Sequence, residues 1–177
     1  MRRSFSCRMA GIAAIAFLAF VARTRASSVL ADCEGGTNQN KFLAYWYLYD
    51  DSKDGGNSTI TSATKNADGT YDFLPTEGEG NPNGTPGYGA KIDYQMGDTE
   101  PSCGEGCTYG NMVGIGTEFA AEGSVLDLTG ATTITYWAKA SAPMTVRIEV
   151  ATSAVTNFAY HRTEHDITTS WAQYEIV

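Results

Sequence analysis

The chain has 177 residues, 42% of them hydrophobic and 18% charged, with 20 acidic against 12 basic side chains and a formal charge of −8. That length supports one domain around one core. So acidic a surface repels phosphate backbones and anionic lipid, which argues against nucleic-acid and membrane-surface partners and leaves neutral polymers open.

Residues 1–31 read as a secretory leader. Arg2, Arg3 and Arg8 form a basic start, an apolar run follows from Met9 to Ala22, and Val29 and Ala31 set a cut before Asp32. A cut after Ala26 and a retained N-terminal anchor are the alternatives, and the run is short for a membrane span. Leu30-Ala31-Asp32-Cys33 also resembles a lipoprotein signal, although Asp32 fills a place where a small residue belongs. The leader carries five Arg and no acid, so residues 32–177 hold 7 basic and 20 acidic side chains and a charge of −13. The expectation is a secreted, extracellular or cell-surface protein without membrane insertion after cleavage.

From residue 32 onward apolar residues alternate at a period of two rather than at helical spacing. Phe42 to Tyr49 reads as the first strand, with Tyr45, Tyr47 and Tyr49 on one side and Trp46 and Leu48 on the other. Ser62 to Pro86 is polar and rich in Gly and Pro, and reads as a long loop. Tyr88 to Tyr94 is the second strand. Gly97 to Gly110 is a second loop. Asn111 to Phe119 is a glycine-rich strand with Met112, Gly114, Gly116 and Glu118 on one face. Ala120 to Leu128 holds at most a helical turn. Thr132 to Lys139, Met144 to Ala151, Asn157 to Thr163 and Gln173 to Val177 complete the set. Short strands separated by Gly, Asn and Asp predict an all-β antiparallel β-sandwich. Val177 falls inside the alternation Trp171 to Val177 with no turn after it, so one or more closing C-terminal strands are expected beyond it.

Three cysteines remain outside the leader. Cys103 and Cys107 flank Gly104-Glu105-Gly106, a loop that a disulfide would close. Zinc is the rival reading, but no second pair completes four ligands. Cys33 reads as a buried free thiol.

Several motifs carry little. His161-Arg162-Thr163-Glu164-His165 matches H-x-x-E-H, a zinc-protease pattern that needs a helix, whereas the neighbours read as strand and turn. Asp50-x-Ser52-x-Asp54-Gly55 opens like a calcium loop but has Thr61 where a bidentate Glu belongs. Gly110 to Gly116 lacks the spacing, helix and lysine of a phosphate loop, and its glycines suit close approach by a ligand. No nucleophile–histidine–acid set is recognisable. Asn57 and Asn83 open glycosylation sequons.

The row Tyr45, Tyr47, Tyr49 beside Asp50 and Asp51 points to sugars. A phenol ring covers the apolar C–H face of a pyranose, and carboxylates or amides take its hydroxyls.

The order of short motifs resembles a family 11 type carbohydrate-binding module of the galactose-binding-like jelly-roll superfamily. The residues that carry the likeness are Asp32-Cys33-Glu34-Gly35, Ala44 to Asp51 with Gly56-Asn57-Ser58, Gly87 to Ile92, Val113 to Thr117, Ile134 to Ala140 and Thr169 to Ile176. The resemblance implies a jelly roll, non-catalytic binding of β-glucan or cellulose-type polysaccharide, and a glycoside hydrolase in the same polypeptide. It implies sugar contacts by Tyr47, Tyr49, Tyr109, Arg147, Glu149 and Tyr160, and a structural calcium held by Asp32 and Glu34. The alternatives are a secreted adhesion or scaffold domain without sugar binding, or an ancillary part of a glycoside hydrolase.

Overall fold

The structure is a computed structural model of the full chain. It describes residues 6–18, 27–78, 82, 87–105, 107–121, 124, 128–152, 155 and 160–177, with the backbone alone for 6–18, 27–29, 103, 107 and 108. The strands are β1 (Ser6–Leu18), β2 (Ser27–Val29), β3 (Trp46–Asp50), β4 (Thr59–Ile60), β5 (Thr64–Lys65), β6 (Tyr71–Asp72), β7 (Thr76–Glu77), β8 (Tyr88–Gly89) and β9 (Lys91–Gln95). They continue with β10 (Ser102–Gly104), β11 (Cys107–Thr108), β12 (Val113–Thr117), β13 (Thr133–Ala140), β14 (Met144–Val150), β15 (His161–Ile167) and β16 (Ala172–Ile176). A single 3-10 turn, η1 (Asp51–Asp54), follows β3.

The fold is all-β and every strand pairing is antiparallel. The largest sheet runs β16–β13–β1–β9–β4, with β2 on β1, and the pairs β3–β12 and β14–β15 form separate ladders. Their inner faces build two core clusters in the manner of a sandwich. Trp46 and Leu48 of β3 pack with Ile60, Tyr71, Phe73, Ile92 and Tyr94. Tyr136, Ala138 and Ala140 of β13 pack with Ile167 and Ile176 and against Val146 and Ile148. Met144 touches both clusters and joins them. Each large apolar side chain sealed this way stabilises the fold by about 1.5–3 kcal/mol.

The expected strands are present with shifted ends. The first begins at Trp46 rather than Phe42 because the Asn40 side chain closes a turn ahead of it. Asn40 Oδ1 accepts from the backbone N–H of Phe42 (2.9 Å) and Ala44 (3.1 Å), and its Nδ2 donates to the Glu118 carbonyl at 2.7 Å. Leu43 inside this turn takes φ +64° and stands exposed. Tyr88 to Tyr94 is interrupted at Ala90, between β8 and β9. The strand expected at Asn157 to Thr163 is described from His161 and runs to Ile167. The helical turn expected in Ala120 to Leu128 falls largely outside the described residues.

Ser62 to Pro86 is a correction: it contains strands. β5 and β6 form a hairpin whose turn is closed by Asn66 N–H to Thr70 O (2.8 Å) and Gly69 N–H to Asn66 O (3.0 Å). Gly69 sits at φ +83°, and Asp68 Oδ1 accepts from the Thr70 N–H at 2.9 Å. Two-residue strands are too short to show a period. β7, also within this stretch, pairs with β8 in a separate two-stranded ladder.

Ser6–Leu18, set aside on sequence as leader, is a strand of the full chain. Its backbone pairs with β9 from Ser6↔Gln95 to Ala10↔Lys91 and with β13 from Met9↔Ala140 to Leu18↔Thr133. Removal of residues 1–31 takes β1 and β2 together and leaves β9 and β13 without the strand between them.

Candidate functional site

The tyrosine row lies on the outer face of β3. Trp46, Leu48 and Asp50 are buried, whereas Tyr45, Tyr47 and Tyr49 are 61%, 49% and 40% exposed. A strand alternates its side chains, and one core claims only one face. The rings of Tyr47 and Tyr49 lie side by side, centroids 6.2 Å apart and planes inclined by 39°.

The neighbouring strand explains their posture. Tyr47 pairs directly with Gly116, and Tyr49 with Gly114. Each ring reclines over the glycine across from it: a Cβ on Gly116 would stand 2.6 Å from Tyr47 Cζ, and one on Gly114 would stand 2.7 Å from Tyr49 Cε2. These glycines were expected to admit a ligand; the space is taken by the tyrosines.

Charged groups surround the rings. Burial, and then the Glu118 carboxylate, raise the pKa of the Tyr47 phenol. Burial raises that of Tyr49 as well; Tyr47 and the Glu149 carboxylate add to the rise and the Arg147 guanidinium opposes it. Both phenols are therefore neutral donors at neutral pH. Arg147 and Glu149 project from the outer face of β14, with Arg147 Nε 3.2 Å from Glu149 Oε1. Across the ladder they face Glu164 and Arg162 of β15. Met144, Val146 and Ile148 point inward, as their alternation predicts. The structure thus brings the Arg147/Glu149 pair of β14 within electrostatic reach of Tyr49 in the Tyr47/Tyr49 pair of β3, two short segments far apart in sequence.

Two acids beneath the platform hold it. Asp51 is fully buried and accepts from Ser58 N–H (2.8 Å), Ser58 Oγ (2.5 Å) and Met112 N–H (3.0 Å), which ties the end of β3 to the approach to β12. Asp50 is bonded by Lys65 Nζ at 2.8 Å, by the Tyr71 hydroxyl and by Ser52. Burial alone would raise the Asp50 pKa, but the bonds from Lys65, Ser52 and Tyr71 outweigh it and hold the carboxyl at about 2. The calcium-loop pattern Asp50-x-Ser52-x-Asp54 is therefore a structural node closed by a lysine, and Gly55 after it takes φ +85° to end η1.

The remaining expected residues lie elsewhere. The Tyr109 hydroxyl donates to the Asp54 carboxylate, and its pKa is pushed up to about 12 by burial and by that acid. Tyr160 is half-buried directly before β15. Asp32 pairs with Lys41 at 2.8 Å, and Glu34 lies against the Gly87 backbone. Among the described residues no group of three or more His, Cys, Asp or Glu side chains is gathered for a metal. The expected Cys103–Cys107 disulfide lies outside the described residues, since only the backbone of that hairpin is described. His161 and His165 stand on strand β15, and His165 Nδ1 shares a 2.6 Å hydrogen bond with the Tyr136 hydroxyl, so the protease pattern has no helix to work from.

The expected sugar contacts omitted two neighbours of the platform: Tyr45, already visible in the tyrosine row, and Glu118, already placed on one face with Gly114 and Gly116, whose carboxylate raises the pKa of Tyr47. Compared with known proteins, the chain matches no family model, no curated protein and no solved structure. The functional reading therefore rests on these residues.

Proposed function

We propose that the protein is a secreted, non-catalytic polysaccharide-binding domain, a jelly roll of the galactose-binding-like kind, that takes β-glucan or cellulose-type chains on the Tyr47–Tyr49 platform. The observation that carries this reading is the pair of tyrosine rings whose tips lie over Gly116 and Gly114 while the residues stay 49% and 40% exposed, with Glu118 acting on Tyr47 and Arg147 and Glu149 acting on Tyr49. The rings supply stacking on the C–H faces of two sugars, and the flanking groups supply donors and acceptors for their hydroxyls. Because the two planes are inclined by 39°, the platform suits a single twisted chain in solution better than a flat crystalline surface.

In this reading Tyr109, bonded to Asp54, and Tyr160, before β15, are outlying contacts, a calcium held by Asp32 and Glu34 would have to displace Lys41 from Asp32, and a glycoside hydrolase in the same polypeptide is the partner that gains from substrate proximity. Shallow, wet sites of this kind bind in the range of about 1 μM to 1 mM.

Affinity electrophoresis tests the reading with mixed-linkage β-glucan, xyloglucan, hydroxyethylcellulose and a gel without polysaccharide. The wild-type chain should be retarded in at least one glucan gel. The double variant Tyr47→Ala/Tyr49→Ala should lose about 1–3 kcal/mol of binding, or roughly 5- to 150-fold in affinity. Unchanged retardation of the double variant would refute the platform, and an unretarded wild type would refute glucan binding.

A further inference from the structure

We propose that Gly114 and Gly116 are positioning residues of the binding face: each is the seat of one tyrosine ring, and without both seats the rings turn edge-on and the platform ceases to bind. This inference rests on the carbohydrate reading and adds to it a requirement located on a different strand.

Neither strand propensity nor backbone conformation explains the two glycines. Interior strand positions favour β-branched and aromatic residues, and glycine there sacrifices side-chain packing. Backbone conformation does not demand it either. Gly36, Gly55, Gly69, Gly78, Gly104 and Gly130 take positive φ, whereas Gly114 and Gly116 do not. The remaining reason is space. A Cβ on Gly116 would lie 2.6 Å from both Cζ and Oη of Tyr47 and 2.9 Å from its Cε2. A Cβ on Gly114 would lie 2.7 Å from Tyr49 Cε2 and closer still to its Cζ and hydroxyl. The nearest atoms are the ring tips, so the ring is what must move.

The posture of the row agrees. Tyr47 and Tyr49, each paired with a glycine, are 49% and 40% exposed. Tyr45 continues the same face beyond the paired segment, pairs with Gln39 instead, and is 61% exposed. A reclining ring offers one full face, and an upright ring offers an edge and two half-screened faces. Stacking on a sugar needs the full face. The two glycines therefore fix the height and tilt of the surface that a sugar meets, although neither has a side chain with which to touch it.

The test uses the full chain and three variants: Gly114→Ala, Gly116→Ala and the double change. Tyr47→Ala/Tyr49→Ala serves as the reference for loss of the platform. Affinity is read on whichever glucan retards the wild type, with circular dichroism and the thermal midpoint as controls for folding. The double glycine variant should lose at least about tenfold in affinity, approaching the tyrosine variant.

A second readout is independent of ligand and needs no glycine variant. In the wild-type NMR spectrum the Hα signals of Gly114 and Gly116 should be shifted upfield by the overlying rings. Tyr49→Ala should abolish the shift at Gly114 alone, and Tyr47→Ala the shift at Gly116 alone.

Glycine variants that fold and bind like wild type, while the tyrosine variant does not bind, overturn the seats and leave the carbohydrate reading standing. Absent ring-current shifts overturn the seats even where the glycine variants fail to fold. A wild-type chain that binds no glucan overturns the carbohydrate reading, and with it the binding role of the glycines.

Discussion

Asp51 is the residue whose loss should cost the fold most per atom removed. Its side chain has no contact with solvent and accepts three hydrogen bonds, from Ser58 N–H at 2.8 Å, Ser58 Oγ at 2.5 Å and Met112 N–H at 3.0 Å. Bonds to an ionised acceptor contribute about 1.5–3 kcal/mol each, and each buried donor left without a partner costs about 1–3 kcal/mol. Relief of the carboxylate's own desolvation offsets part of this, so Asp51→Ala should destabilise by about 3–5 kcal/mol. Asp51→Asn keeps the volume and one acceptor but turns an NH2 group toward a donor, and should cost about 2–3 kcal/mol. Urea denaturation followed by circular dichroism measures both. With an m-value near 2 kcal/mol/M the midpoint of the alanine variant should fall by roughly 1.5–2.5 M at constant slope. Because the Met112 bond anchors the approach to β12, either variant should also weaken glucan binding under conditions where it is still folded. A loss below about 1 kcal/mol for Asp51→Ala would refute the claim that these three bonds hold β3, η1 and β12 in register.

Asp50 gives a pH dependence of defined sign. Its carboxyl is held near 2, below its ordinary value, so the stability it confers is present above about pH 4, falls as pH drops toward 2 and amounts to about 1–2 kcal/mol; Asp50→Asn should flatten that part of an acid titration of stability. An unchanged acid limb in the variant would show that other carboxylates set it. Cys33 is buried, and its thiol is pushed up to about 11 by burial and then by the charges of Asp32 and Glu34. Alkylation at pH 8 with peptide mapping should therefore label Cys33 at least about 100-fold more slowly in the folded chain than in urea, and equal rates would show that the site is open.

Much of the fold was legible because alternation is a local signal. β3, β12, β13, β14 and β16 stand within a few residues of their expected positions, since each carries a side that must be buried and a side that must not. The strand ends were less legible. Asn40 closes its turn by accepting from Phe42 and Ala44 N–H, but its amide is held by the Glu118 carbonyl, 78 residues away, and no local pattern announces that partner. The hairpin β5–β6 escaped notice because its strands are two residues long and bring only Tyr71 to the core, and it is held by turn chemistry at Asp68 and Gly69 and by Lys65 reaching Asp50.

The sequence by itself determined the period of the strands, the acidic charge and the exposure of the tyrosine row, because one core leaves one face of β3 in water. Tertiary structure decided what that face became. Pairing in register set Gly116 under Tyr47 and Gly114 under Tyr49, which turned surface tyrosines into a platform. Packing of the β14–β15 ladder brought Arg147 and Glu149 close enough for their charges to act on Tyr49. Contacts from other segments also converted Asp50 from the opening of an apparent calcium loop into a buried node held by Lys65 and Tyr71, and made its neighbour Asp51 a second node held by Ser58 and Met112. The physical reason is common to all three: a residue's spacing fixes which way it points, but its partner lies on another strand, and only the closed fold brings the two within hydrogen-bonding or stacking distance.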